Sequence, residues 1–309
     1  MIFTVTLNPS LDRMLSVRRF ELGAVHRAEL VRQDLGGKGI NVSRALRALG
    51  LDSRIVAVVA GRTGRALRDG LVADGYDVEW IEVDGETRQN ITLLDESTGV
   101  YTKINEPGPM LDPEHIAAFK HRVEGMVQPG DLWAFCGSLP PGAPHGFYAE
   151  LITLVQQRGG LAFLDTSGPA FRVGLTAGPF AIKPNSDEAA EALQFPLCDD
   201  HAHHLAARNL QREGVRLVAL TRGAQGLVLA MDGALVVAAP PPVAARSPIG
   251  AGDASLAGLL WAVSDRCDLF ETARRIVACG TAAAMQAGTA VGDRDLVESL
   301  IRQVQVVPV

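Results

Sequence analysis

Short apolar runs alternating with helical stretches constrain the fold of this chain more than any other feature. IFTVTL (2–7), SRIVAVVAG (53–61), DLWAFCG (131–137), LAFLD (161–165), FAIKPN (180–185) and LVALTRG (217–223) read as strands. Helical patterning falls between them, over 39–50 and near 63–74, 113–126, 145–158, 186–194 and 200–213. Strands that take turns with helices must bury both faces of their sheet, which makes that sheet mostly parallel. LVLAMDGALVVAA (227–239) differs, because two β segments meet at Asp232-Gly233, a hairpin signal. Helical periodicity then resumes over about 251–287. No internal repeat or low-complexity linker divides the chain, so one α/β domain over 1–309 is expected.

Two stretches break the alternation. Residues 13–33 and 87–105 switch between apolar and polar side chains around turns, as half-exposed strands do. They are expected to form a small separate sheet that stands off the main domain and closes over a ligand. The apolar remainder of such a sheet needs a cover, which a second copy of the chain would supply.

The formal net charge of −6 argues against nucleic acid or an anionic membrane as the main partner. No run approaches the roughly 18 apolar residues of a membrane span. MIFTVTLNPSLD at the start carries no basic region followed by an apolar core, so the cytoplasm is the expected location. Cys136, Cys198, Cys267 and Cys279 show no CxxC spacing and read as reduced, mostly buried thiols. Only four lysines occur, Lys38, Lys103, Lys120 and Lys183, so a lysine inside a motif draws notice.

Five stretches bear on chemistry. In SPIGAGDASLAG (247–258), Gly250, Ala251 and Gly252 are nearly bare and Asp253 falls in the first turn of a helix. Backbone N–H groups lack intrahelical partners there and attract an anion. A capped turn explains the same residues, and the two readings are compatible. No Lys-Ser/Thr follows the glycines, so this is not a Walker A loop. LGGKGINVSRALRALG (35–50) sets Gly36, Gly37 and Gly39 around Lys38 before a helix, with Asn41 in its first turn. NPSLD (8–12) puts Asp12 just past the first strand's carboxyl end, where open α/β sheets bind ligands. In IKPNSDE (182–188), Asn185 and Glu188 lie three apart at a helix start, which suits either hard-oxygen contacts to Mg²⁺ or N-terminal capping. TRGAQG (221–226) follows a strand and is able to wrap a nucleotide, whereas His201 and His204 of HAHH lack a third ligand.

These pieces, in this order and over essentially the whole chain, resemble the PfkB (ribokinase-like) carbohydrate kinases. The resemblance implies a Rossmann-like, three-layer α/β sandwich with a β lid, and it brings ATP, Mg²⁺ and a phosphorylated ketohexose as partners. It implies that Asp253 is the catalytic base and that the amides of Gly250, Ala251 and Gly252 form an anion hole. By the same resemblance Asp12, Gly37, Lys38 and Asn41 face the sugar, and Arg88, Lys103 and Ser138 hold its existing phosphate. Lys183 then faces the nucleotide phosphates, with Thr221, Gly223 and Gly226 around the nucleotide and Asn185 and Glu188 at Mg²⁺. A homodimer through the lid is expected.

TLNPSLD, GGKGIN, TRQN, INEPGP, GSLPPG and LDTSG are most like the sugar-phosphate branch of that family. INEPGP (104–109) inclines the reading toward the 6-hydroxyl of fructose 1-phosphate, giving fructose 1,6-bisphosphate. TRQN (87–90) pulls the other way, toward tagatose 6-phosphate or fructose 6-phosphate phosphorylated at C1. The resemblance breaks at Ser247-Pro248, where many members carry an Asp-Thr pair whose Asp helps bind a monovalent cation. A binding protein that had lost catalysis would be expected to lose Asp253 or the bare residues before it. A nicotinamide-dependent dehydrogenase would need GxGxxG after the first strand, where NPSLD stands.

Overall fold

The computed structural model describes residues 1–286 and 291–309. The chain begins β1 (Ile2–Thr6), β2 (Ser10–Val17), β3 (Glu29–Gly36), α1 (Lys38–Ala48), β4 (Arg54–Ala60) and α2 (Gly61–Ala73). It continues β5 (Asp77–Val83), β6 (Arg88–Asp95), β7 (Val100–Asn105), α3 (Pro113–Met126), β8 (Leu132–Cys136) and α4 (Phe147–Gln157). Next come β9 (Leu161–Asp165), α5 (Gly168–Leu175), β10 (Ala181–Ile182), α6 (Ser186–Leu193), α7 (Asp200–Arg212) and β11 (Leu217–Thr221). The last elements are β12 (Leu227–Met231), β13 (Ala234–Ala239), α8 (Ala251–Ser264), α9 (Leu269–Ala284), α10 (Arg294–Ile301) and β14 (Gln305–Pro308).

Ten strands form one sheet in the order β14-β13-β12-β11-β10-β9-β8-β1-β4-β5. Its pairs are parallel from β5 across to β11, and antiparallel through the β12–β13 hairpin to β14. The central strands β1, β4, β8 and β9 are apolar and buried because helices cover both faces. One core cluster gathers Trp133, Phe135, Phe147 and Tyr148 on the α3–α4 face, a second gathers the α8 and α9 side chains, and a smaller third joins Ile40, Ile55, Leu67 and Leu71. Phe3 stacks on Trp133 with ring centroids 4.1 Å apart, joining two neighbouring strands.

The second sheet has four strands in the order β3-β2-β6-β7. It gathers the two stretches expected to form a small separate sheet, here called the lid, with shifted edges: β2 begins at Ser10, β3 runs on to Gly36, and residues 18–28 between them lie outside the strands. Asp12 is therefore inside a lid strand rather than in a turn. Pairing continues past the expected limit because Ser10 lies opposite both Gly36 and Arg88. In register, Asp12 sits beside Asp34 on one neighbour and Asn90 on the other, so these three side chains share a face.

Other expectations are refined. The 251–287 stretch is two helices, α8 and α9, broken by a turn at 265–268, and its last residue lies outside the described residues. Cys136 and Cys279 are buried, but Cys198 is exposed and Cys267 half-exposed; all four are free. Burial alone pushes the Cys279 thiol up to about 12.

α8 is buried from Asp253 to Ala262, since it packs on α1 and on α9. Gly258 lets α9 approach: a methyl group there would fall 2.7 Å from the Arg275 carbonyl oxygen and 2.9 Å from Cys279 Sγ. On helix propensity alone Gly258→Ala would gain about 1 kcal/mol. Overpacking against a backbone carbonyl costs about 1–3 kcal/mol and should win, so urea denaturation is expected to show a less stable variant. A gain in stability would mean that the two helices do not meet this closely.

Candidate active site

The carboxyl ends of β1, β8, β9, β10 and β11 lie along one edge of the main sheet, and the lid arises from the same edge. Asp165 closes β9 and is fully buried there. Lys38 Nζ, from the first residue of α1, donates to Asp165 Oδ1 at 3.2 Å. Lys183 Nζ, just beyond β10, lies 3.3 Å from the other carboxylate oxygen. Burial would push the Asp165 carboxyl up, but Lys183 and then Lys38 reverse this and hold it below its ordinary value. The Asp165 carboxylate in turn lifts Lys38 well above its ordinary value against desolvation, with Glu188 and Asp253 adding to the effect.

Gly250 is the N-cap of α8 and has φ +80°, a left-handed conformation that suits glycine. No side chain caps this helix; the Ala251 N–H reaches the Pro248 carbonyl at 3.4 Å, while those of Gly252 and Asp253 have no acceptor among the described residues. Gly252 lies in that turn, where a methyl group would stand 3.6 Å from Lys183 Nζ. Helix terminus and ammonium therefore converge on one spot. Asp253 is buried in the same turn and accepts a hydrogen bond from Asn41 Nδ2 at 2.8 Å. Burial raises its pKa, Asp165 raises it further, and Asn41, Lys38 and Lys183 pull it partly back, to about 6.

The lid supplies the polar face opposite. Ser10 Oγ donates to Asp12 Oδ1 at 2.6 Å and Asn90 Nδ2 to the same oxygen at 2.9 Å. A side chain on Gly36 would strike the Asp12 carboxylate, so the bare residue is what lets β3 pass. Arg88 is half-buried with no partner for its Nε among the described residues, and desolvation lowers its pKa against the pull of Asp12. Lys103 is exposed on β7 opposite Thr92. At the lid's base Asn8 Nδ2 donates to the Pro107 carbonyl at 3.0 Å and lies 3.4 Å from Ser138 Oγ. Gly37 caps α1 at φ +136°.

The remaining residues gather at the far end of the edge. Asn185 and Glu188 form a complete capping box on α6: the Glu188 N–H donates to Asn185 Oδ1 at 2.8 Å, and the Asn185 N–H to Glu188 Oε2 at 2.9 Å. Thr221 bridges to Asn185 through the backbone, which brings the two loops together. Gly223 has φ +57° and faces open space. A side chain on Gly226 would meet the Ala238 carbonyl, so its bareness serves the β12–β13 pairing. Of the HAHH run, His203 is the one that reaches this region. Its Nδ1 lies 2.7 Å from the Asp199 carbonyl, which makes Nε2 the acceptor for the Ser186 hydroxyl at 3.0 Å.

Comparison with known proteins gives the family. A family model described as pfkB family carbohydrate kinase matches residues 5–298. The chain belongs to the pfkB family of carbohydrate kinases. The 1-phosphofructokinase of Rhodobacter capsulatus is 35% identical over 306 residues, covering 99% of this chain and 97% of that one. The 1-phosphofructokinase of Bacillus subtilis is 32% identical over 306 residues, 99% of each chain. A crystal structure of phosphofructokinase-2 from Escherichia coli in complex with potassium superposes with a TM-score of 0.92 at 27% identity, over 98% of both chains. As a pfkB kinase, the protein is a phosphotransferase with an alcohol group as acceptor.

Sequence reading singled out most of the residues along this edge but not Asp165, Ser10 or Asn90. LDTSG and TRQN contain two of them, yet only tertiary pairing reveals what they hold. Asp165→Asn leaves two ammonium groups without their buried counter-charge, which should cost about 3–5 kcal/mol of unfolding free energy at pH 7. Because the native carboxyl is held below its unfolded value, its contribution is present above about pH 4 and is lost as pH falls further. The stability gap between wild type and variant should therefore narrow in acid; a constant gap would contradict the pairing.

Proposed function

We propose that this pfkB kinase is an ATP-dependent sugar-phosphate kinase that phosphorylates the 6-hydroxyl of fructose 1-phosphate to give fructose 1,6-bisphosphate. The observation that carries the reading is Asp253, a buried carboxylate with a pKa of about 6 in the first turn of an uncapped helix. At neutral pH it is ionised yet close to the working pH, where a general base is most effective. Its task is to take the proton of the acceptor hydroxyl.

Phosphoryl transfer asks little covalent chemistry of a protein and much positioning and charge stabilisation. The amides of Gly250, Ala251 and Gly252, of which that of Ala251 also reaches the Pro248 carbonyl at 3.4 Å, the α8 dipole and the Lys183 ammonium all favour negative charge on the transferring group. Asp12, fixed by Ser10 and Asn90, is a pure acceptor suited to sugar hydroxyls. Arg88, with an unsatisfied Nε, offers a fork to the existing phosphate, and Lys103 and Ser138 complete that side. Gly37, Lys38 and Asn41 line the sugar from α1, while Thr221, Gly223 and Gly226 belong to the nucleotide side.

The donor set fits Mg²⁺. Glu188 Oε1 takes no hydrogen bond from the described residues, and Asn185 Oδ1 takes one. No group of three acidic, His or Cys ligands occurs among the described residues, as suits an ion that arrives with the nucleotide and keeps its waters. Asn185 and Glu188 would hold it, and the ion would neutralise charge on the phosphates.

Relatives named 1-phosphofructokinase support fructose 1-phosphate as acceptor, and the 28% identical tagatose-6-phosphate kinase of Staphylococcus epidermidis keeps the C1 reading as the second. The absence of a membrane-length apolar helix among the described residues is consistent with the cytoplasm as its site of action. The exposed apolar residues Val100, Tyr101 and Ile104 of β7, each more than half accessible, support a second copy covering the lid.

A coupled assay with fructose 1-phosphate, fructose 6-phosphate and tagatose 6-phosphate should give the highest kcat/KM with the first. Asp253→Asn should lower kcat by about 10²–10⁴-fold or more with little change in KM for ATP. Activity on none of the three sugars, or near-normal turnover in that variant, would overturn the reading. Light scattering at micromolar concentration is expected to report a dimer for the wild type and a monomer for Ile104→Glu; a monomeric wild type would remove the lid interface.

A further inference from the structure

Arg44 stands one turn along α1 from Asn41, on the same face of the helix. Its Nη1 donates to Asn41 Oδ1 at 3.0 Å, while Asn41 Nδ2 donates to Asp253 Oδ2 at 2.8 Å. The guanidinium is half-buried and forms no ion pair with a carboxylate among the described residues. Its one side-chain hydrogen bond among the described residues goes to an amide that touches the candidate base.

The chemistry of the three groups leaves one arrangement. Arginine carries only donors, and an ionised carboxylate carries only acceptors. An amide spanning the two satisfies both in a single orientation, with its oxygen toward Arg44 and its NH₂ toward Asp253. Reversing the amide would set two donors face to face at one end and two acceptors at the other. With Oδ2 engaged, Asp253 Oδ1 receives no hydrogen bond from the described residues and is left for the acceptor hydroxyl.

We infer that Arg44 is a positioning residue for the transfer step: it fixes the Asn41 amide so that Asn41 holds one oxygen of Asp253 and aims the other at the sugar. The inference rests on Asp253 being the base. The other charged groups facing Asp253 are Lys38 from α1, Asp165 from the end of β9 and Lys183 beyond β10; Cys136 at the end of β8 is a buried thiol close by. From α9 the neighbouring side of α8 meets Gly280, beside Ser255, and Cys279, beside Gly258. None of these groups makes a hydrogen bond to Asn41. Removing Arg44 therefore frees the amide to turn and leaves the ion pairs of Asp165 intact.

The test is a pair of kinetic cycles on the full-length enzyme, with ATP and the best of the three sugar phosphates. Arg44→Met should lower kcat about 10-fold or more while KM for ATP stays within about 2-fold, since the nucleotide side is untouched. Its acid limb in kcat should move up by roughly one pH unit, the worth of one hydrogen bond to a charged group. Substrate phosphates titrate in the same region but identically for every variant, so the shift belongs to the enzyme. In an Asn41→Ala background the same change should produce no further shift. Should Arg44→Met not fold, Arg44→Lys carries the cycle with a partial shift in wild type and none beside Asn41→Ala. An unmoved acid limb and kcat, or equal shifts in both backgrounds, would overturn the relay. Asp253→Asn separates the two levels: its inactivity beside an unchanged Arg44 variant rejects only the relay, whereas its activity rejects the base and the relay together.

Discussion

Asp165 is held between Lys38 at 3.2 Å and Lys183 at 3.3 Å in a place fully closed to solvent. The three charges come from the end of β9, the start of α1 and the end of β10, so one ionic cluster fixes where three elements meet. With Asp253 ionised as well, the two cations are balanced by two carboxylates beside the uncapped N-terminus of α8. What favours an anion there is the helix terminus itself, with the Lys183 ammonium beside Gly252. The same buried carboxylate lies close enough to Asp253 to resist its ionisation. One interaction thus holds Lys183 beside the helix terminus and makes the neighbouring carboxylate more basic.

The lid depends on that arrangement through chain connectivity. It leaves the main sheet after β1 and re-enters at Gly37, directly before Lys38. Its second excursion leaves at Thr87, whose Oγ1 accepts the Ala60 N–H at 2.9 Å, and returns through Pro107, gripped by Asn8. All of these crossings lie at the edge where the charges gather.

Much of this was legible in the sequence. Periodicity gave the parallel core, the Asp232-Gly233 hairpin and the existence of the lid, because each buries apolar residues with a period that matches its element. β5 was passed over since DVEWIEV is a half-exposed strand at the sheet's edge. α5 and α10 are eight-residue helices like α6, but α5 opens on Gly168-Pro169, which reads as a turn, and α10 follows a Gly-rich stretch. In the site, Lys38 and Lys183 stood out because lysine is scarce here. Asp165 did not, since a carboxylate ending a strand is ordinary until its partners, 127 and 18 residues away, are brought to it. The Arg44 relay was equally invisible, for GINVSRAL shows a helix surface and not the carboxylate 212 residues away that Asn41 meets.

Direct titration of Asp253 tests the central claim most closely. Carbonyl ¹³C NMR of the aspartate-labelled enzyme without substrates, assigned by comparison with Asp253→Asn, reads this carboxyl apart from any phosphate. A midpoint of about 6 is expected from its burial and from Asp165 beside it. A midpoint at the ordinary aspartate value of about 4 would contradict the account, because the charge cluster would then not be tuning the base.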